Sequence, residues 1–369
     1  MKALSAVAVC LLAAGAVRPV LAADKDDDTV LTPGTVGIVI PAELQSDWTA
    51  RSRPGGGDRI NLTTKIEPEI TFQATEEMSF LLGVTFEQAQ TPDRGKDEAF
   101  EHHALYLKTL TANYESGPLA LYMGKFTANF GRAWETGPGI YGNRFAKDYE
   151  FAERWGLGGG VELEDTPLGD LAFSASLFMV DRTALSDSVL FRRGRTSEGD
   201  GGPGNTDSPR SFAVALDGGH LPWLDTVEYH LAYTQQAKGE GDSGTMRGVV
   251  AGAQLTLPVV GALEATPLVE WASFDNFGGT RGEDRTVWTA ALKLEHGPWQ
   301  AVAAFAKREL SDSTGLEESD RSLQLSAGYT FINGLLTEIA WWRVEETGQT
   351  DDIIGVRLSY AFATQFRLY

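Results

Sequence analysis

The chain holds five histidines (His102, His103, His220, His230 and His296) and a single cysteine, Cys10, which bounds the chemistry open to it. Nucleophilic hydrolysis needs a histidine held beside a serine or an acid, and none of the five stands in a motif that fixes such a site. His102 and His103 are adjacent and on a strand point to opposite faces, so they do not share a metal ion. His230 alternates with Tyr229 and Leu231, which puts it on the polar face of its segment beside Glu228, as a lining residue rather than a base. The run Gly156-Leu-Gly-Gly-Gly160 lacks the G-x-x-x-x-G-K-[ST] pattern and the following helix of a phosphate-cradling loop. No acidic stretch matches an EF-hand calcium loop. The expectation is a chain without catalytic residues, metal or cofactor.

Charge is concentrated instead in the segment 127–153. It carries Arg132, Glu135, Arg144, Lys147, Asp148 and Glu150, with Lys125 at its entrance and Glu153 and Arg154 at its exit. Facing rows of charge at the narrow point of a water-filled passage set ion selectivity, because Coulomb terms grow as the passage narrows. The same segment holds Trp134, Ile140, Tyr141 and Phe145, which a free loop would expose to water, so it is predicted to fold inward. A second cluster, Arg192, Arg193 and Arg195, lies in the Gly- and Asp-rich stretch 182–209. It suits lipopolysaccharide phosphates or a small anion, and equally an ordinary flexible loop.

The elements that must position these residues show period two. Leu323, Leu325, Ala327, Tyr329 and Phe331 alternate with Ser322, Gln324, Ser326, Gly328 and Thr330, and Met78–Glu87 and Trp155–Glu164 repeat the pattern. Alternate side chains of a strand face opposite sides, so each segment has one apolar and one polar face. Strands are predicted at 34–46, 58–73, 78–89, 100–114, 118–126, 154–164, 170–181, 210–219, 226–237, 247–258, 262–274, 285–296, 299–309, 321–332, 335–345 and 352–366. Short connections (74–77, 115–117, 165–169, 220–225, 259–261, 297–298 and Asn333-Gly334) alternate with longer polar ones (47–57, 90–99, 127–153, 182–209, 238–246, 275–284, 310–320 and 346–351). A soluble sandwich has no reason to sort its loops by parity. An outer-membrane barrel does, with short periplasmic turns and long external loops. The predicted fold is therefore all-β: a transmembrane antiparallel up-and-down barrel of about sixteen strands. Glu87, Glu162, Glu164, Glu228, His230, Glu264, Glu270, Lys293, Glu295 and Arg357 fall on the polar, lumen-facing side.

The first residues read as a leader. Met1-Lys2 is a basic start, Ala3–Val17 an apolar run, and Val20-Leu21-Ala22 a small-residue cleavage pattern, so 1–22 is predicted to be a signal peptide. Residues 23–33 form an acidic linker and 34–369 the barrel. Cys10 falls in the leader, which leaves a mature chain without cysteine and hence without a disulfide framework. Removing Lys2 and Arg18 leaves 29 basic against 51 acidic residues, a formal charge of −22. That acidity excludes nucleic acid as a partner and favours cations. No later segment is long and apolar enough for a spanning helix, which leaves a strand-built span open. Trp155, Tyr229, Tyr233, Trp271, Trp288, Trp299, Tyr329, Trp341 and Trp342 collect near strand ends, where amphipathic rings favour the water–lipid boundary. Trp341 and Trp342 must face opposite sides.

The closing run Gly-Val-Arg-Leu-Ser-Tyr-Ala-Phe (355–362) resembles the terminal signal by which barrels meet the assembly machinery, although seven residues follow Phe362. Leu121-Tyr-Met-Gly-Lys-Phe-Thr-Ala-Asn-Phe-Gly131 resembles the G-K-x-x-x-x-F-G passage of phosphate-selective-type porins and LbtU-type siderophore porins. Gly137–Gly142 and Asp148–Gly156 are similar to the second group. The resemblance implies a sixteen-stranded barrel whose third external loop narrows the pore, often as a homotrimer. The function expected is passive diffusion of small solutes or ions through an outer-membrane channel set among lipid and lipopolysaccharide, with a mild cation preference. The alternatives are a substrate-specific channel, for a ferric siderophore or an anion such as phosphate, and an outer-membrane enzyme.

Overall fold

Sixteen antiparallel strands close on themselves in the computed structural model, which describes residues 31–93 and 95–368. The predicted leader and most of the linker lie outside the described residues. In chain order the strands are β1 (Thr35–Arg53), β2 (Arg59–Ile66, resuming at Glu69–Gln73), β3 (Met78–Gln88), β4 (His103–Ser116) and β5 (Leu119–Phe126). Then come β6 (Arg154–Thr166), β7 (Gly169–Val180), β8 (Ser211–Leu221), β9 (Leu224–Gln236), β10 (Met246–Leu255, continued by Leu257–Val260) and β11 (Leu263–Asp275). The last five are β12 (Asp284–His296), β13 (Trp299–Ser311), β14 (Glu317–Thr330), β15 (Leu336–Glu346) and β16 (Gln349–Arg367). Each barrel strand pairs with its sequence neighbours, and β16 returns to β1 from Thr35↔Arg367 to Arg53↔Thr350. No backbone edge is left to face lipid, which is the condition for a strand-built span.

Alternation decides which face is wet. Leu121, Met123, Leu157, Phe173, Leu231, Val269, Trp288, Phe305, Leu325 and Tyr360 are exposed on the outside of the wall, while their neighbours point in. Trp299, Tyr329 and Phe331 stack edge to face near the short turns, and Trp271 and Trp288 pair on neighbouring strands. Such an apolar band with aromatic rings is the surface a bilayer requires. Of the tryptophan pair, Trp341 lies outward and Trp342 is buried inside. The apolar core consequently sits within the lumen, where Phe126, Phe130, Phe145, Tyr149, Phe178 and Phe274 are fully buried.

Three external connections are shorter than the sequence pattern implies. β1 runs on to Arg53, β14 starts at Glu317 and β16 at Gln349, so 47–57, 310–320 and 346–351 shrink to 54–58, 312–316 and 347–348. The added residues are mostly polar, Trp48, Ala50 and Leu310 excepted: Arg51 pairs with Asp352 across the β1–β16 seam, and Arg343 Nε donates to Asp352 at 2.8 Å. Strands that rise past the lipid need no apolar face, so alternation of hydropathy stops before the ladder does. At the other end the β16 strand continues through Phe366, in phase with Tyr360 and Phe362, and meets β1.

The antiparallel parity sends 127–153, 181–210, 237–245 and 276–283, together with 54–58, 89–102, 312–316 and 347–348, out of one end, and 74–77, 117–118, 167–168, 222–223, 261–262, 297–298 and 331–335 out of the other. Protease added to intact cells is expected to cut within the exposed stretch Arg192–Asp200. Cleavage at the 297–298 turn instead would invert the orientation.

Candidate pore constriction

The inward loop begins where β5 stops. Leaving Phe126, the chain turns into the barrel and lays three consecutive backbone N–H groups on the facing wall. Gly131 N donates to His230 Nε2 (3.0 Å), Arg132 N to Glu270 Oε2 (2.6 Å) and Ala133 N to Glu270 Oε1 (3.0 Å). Tyr149 on the returning leg donates its hydroxyl to the same Glu270 (2.6 Å). His230 and Asp217 meet through Nδ1 and Oδ1 (2.7 Å), and Asp217 also takes Arg132 Nη2 (2.7 Å) and Asn129 Nδ2 (2.9 Å). With Nε2 accepting from Gly131, the imidazole proton belongs on Nδ1.

From this root the loop crosses to the opposite wall. Tyr141 stacks on Trp342 (ring centroids 4.2 Å apart, 13° between planes), donates its hydroxyl to Asp47 and gives its backbone N–H to Gln324. Arg357 Nη2 reaches Gly139 O at 3.2 Å and Gln324 Nε2 reaches Pro138 O at 3.2 Å. Two glycines make this close approach possible. Gly139 holds φ +80°, and a Cβ there would sit 2.1 Å from Gln324 Nε2, while one on Gly355 would sit 2.0 Å from the Tyr141 hydroxyl. The returning leg is clamped by charge. Asp148 takes Arg285 (2.9 Å) and Arg308 (2.8 Å), and Arg308 also binds Asp320 (2.6 Å) and Glu346 (2.7 Å), which in turn holds Arg144 (2.6 Å).

What the loop leaves open is a polar cavity of about 620 Å³ against β1–β3, β12, β13, β15 and β16. Glu43, Asp47, Glu87, Glu338, Lys65, Lys293 and Arg357 line it from the wall, and Glu135, Gly139, Asn143 and Lys147 from the loop. Most of these charges already have partners: Lys65 with Glu67 (2.9 Å) and Glu87 (3.7 Å), Arg357 with Glu338 (2.5 Å) and Glu43 (3.6 Å), Lys293 with Glu295 (2.9 Å). Beside them Lys108 binds Glu150 (3.0 Å) and Glu67 (3.6 Å). The environment acts on the two loop charges. Burial first, then Lys65, lowers the affinity of Lys147 for its proton, and burial raises the Glu135 carboxyl above its ordinary range. A smaller alcove of about 340 Å³ lies under the loop root, lined by Arg132, Asp217, Glu228 and Glu270 among others.

The residues singled out in the sequence thus divide. Glu135 and Lys147 face the open cavity. Arg132, Arg144, Asp148 and Glu150 are tied to the wall and hold the loop's shape. Lys125, Glu153 and Arg154 are corrections. Lys125 shares the outward phase of Met123, is wholly buried, and binds Asp181 (2.8 Å), Glu153 (2.9 Å) and Leu185 O (2.9 Å). It is covered because β5 ends early and the loop 181–210 folds back over the resulting gap, pairing Val189 and Leu190 with Leu105 and Ala104 of β4. Arg193 closes the same gap, binding Glu153 (2.9 Å) and lying 3.6 Å over the Tyr106 ring, so Glu153 belongs to the seal. Arg154 is packed near Phe151 at the loop's exit.

Of the lumen candidates, Glu87, Glu162, Glu164, Glu228, Glu264, Lys293, Glu295 and Arg357 face inward, but His230 and Glu270 are 2 % exposed and act as anchors rather than lining. Glu162, Glu164, Glu228, Glu264 and Glu295 gather near the short turns. Arg308, Arg285, Asp217, Gln324, Lys65 and Lys108 were not singled out. Asp217 carried a readable signal, in phase with Ala213 and Ala215; the others depend on where the loop lands. Glu98, Glu101 and His102 bring potential ligand atoms within 4.8 Å of one another, but Lys96 Nζ already sits 3.4 Å and 3.6 Å from the two carboxylates.

No family model and no curated protein matches the chain in sequence. Its architecture is nevertheless shared. The outer membrane channel DcaP of Acinetobacter baumannii superposes with a TM-score of 0.60 at 11% identity, over 90% of this chain and 100% of that one. OmpF of Salmonella typhi, in complex with daunomycin, gives 0.60 at 11% over 89% and 97%. OmpT, an outer membrane protein of Vibrio cholerae, gives 0.55 at 8% over 90% and 100%. At such identities the likeness is one of fold: the sixteen-stranded barrel of Gram-negative outer-membrane porins, with the constriction built from this chain's own residues.

Proposed function

We propose that the chain is a passive porin of the Gram-negative outer membrane, without catalysis, that passes small polar solutes and favours cations. The observation that carries the ion preference is the charge of the periplasmic mouth. There Glu162, Glu164, Glu228 and Glu264 point inward without a basic partner within 4 Å among the described residues, and Lys293 stands against the nearby Glu295. Carboxylates around a narrow water-filled mouth raise the local cation concentration, and salt weakens the effect through screening. The OmpT of Vibrio cholerae is described in a trimer form, which supports a homotrimer here as well.

A reversal potential across a potassium chloride gradient in a planar bilayer tests the reading. The expected sign is that of potassium preference, shrinking at high ionic strength and shrinking again when Glu162, Glu164, Glu228 and Glu264 are all changed to Gln. A chloride-preferring sign would overturn it. That outcome would favour the second reading, an anion channel of the phosphate-selective kind, for which the gathering of Lys65, Lys108 and Lys147 at the constriction is the supporting observation.

A further inference from the structure

After internal pairing, two charges of the inward loop are left over at the constriction, while on the wall Asp47, also without a basic partner among the described residues, is held by hydrogen bonds from Tyr141 and Gln45. Glu135 and Lys147 have no oppositely charged partner within 4 Å among the described residues, and they do not pair with each other. They stand on two short helical turns, Ala133–Thr136 and Ala146–Tyr149, which pack side by side. Both line the polar cavity of about 620 Å³. The remainder of that cavity is mostly ion pairs, the hydrogen-bonded Asp47, and neutral amides and hydroxyls such as Asn61, Thr63, Gln88 and Asn143.

We infer that the inward loop carries a two-point site for a zwitterionic solute, an amino acid or short peptide whose carboxylate meets Lys147 while its ammonium meets Glu135. This rests on the porin reading and names its substrate class. A simple anion satisfies Lys147 but is repelled by Glu135 and by the carboxylates of the mouth. A simple cation satisfies Glu135 but meets Lys147 with Lys65 and Lys108 behind it. A solute carrying both charges meets a partner at each end, and the paired wall opposite it presents little net charge. The protonation behaviour of the two groups agrees: burial without a partner weakens the charged form of each, so each gains from a ligand of opposite sign.

The test is uptake into liposomes holding the full-length protein, with glycylglycine as the zwitterion and an uncharged sugar of similar size as reference. The expected result is faster uptake of glycylglycine than of the sugar. In Lys147→Gln and in Glu135→Gln that ratio should fall about fivefold, equivalent to about 1 kcal/mol, and the double variant should fall little further, since one free end already releases the ligand. The charge-swapped double variant Glu135→Lys with Lys147→Glu should keep the preference, which guards against a loop that has merely collapsed. Equal uptake of dipeptide and sugar in the wild type, or an unchanged ratio in the single variants, would overturn the inference while leaving a working porin. Absence of sugar uptake and of conductance alike would instead overturn the porin reading beneath it.

Discussion

Removing Glu135–Lys147 is expected to raise single-channel conductance by about two- to threefold, because the deleted stretch carries the whole crossing of the lumen. Trp134 and Asp148 lie on two helical turns that pack together, so the deletion joins neighbouring segments of the loop. The root on His230 and Glu270 and the clamp of Asp148 on Arg285 and Arg308 both remain. Folding is checked independently by the heat-dependent gel shift of an intact barrel. A folded deletion variant with wild-type conductance would show that the narrowest point lies elsewhere.

The second large effect is on stability. Arg308 is 7 % exposed and binds Asp148, Asp320 and Glu346 at once, with its guanidinium 4.6 Å from the Phe145 ring centre. In Arg308→Met, Asp320 stays buried with only the Thr347 N–H for company. Stranding a buried charge in this way costs about 3–5 kcal/mol, far more than the pair contributes when intact. Denaturant unfolding of the reconstituted protein should show that loss as a lower midpoint, and the current should become noisier as the returning leg loosens. Arg343→Met, which breaks the exposed pair with Asp352, should cost almost nothing by the same measurement. If the two variants were equally stable, the clamp would have no part in holding the loop.

How much of this could be read from the residues follows from what period two encodes. It encodes facing, so β6, β12, β14 and the Asn333-Gly334 hairpin were legible, as was the inward turn of 127–153 from its stranded aromatics. It does not encode height, so the mostly polar continuations of β1, β14 and β16 read as loop. Nor does it encode which inward residue a loop will cover. His230 and Glu228 lie two apart on one face of β9 and both border the alcove, yet His230 ends buried beneath the loop root while Glu228 stays exposed. Lys125 marks the sharpest limit. Its neighbours Gly124 and Phe126 gave no sign that the wall outside it would be supplied by residues some sixty positions later, through Leu185 and Asp181.

That wall patch ties two loops into one heritable unit. Turning 127–153 inward leaves a window beside β4, and the segment around Val189, Leu190 and Arg193 is the pane that fills it. A swap that transplants the inward loop from another barrel, to change what the channel admits, would leave a hole or a collision unless the 181–210 loop travels with it. Diversification of the pore in descendants of this chain should therefore proceed by paired change in the two segments, and a chimera made by exchanging either one alone should leak or fail to assemble.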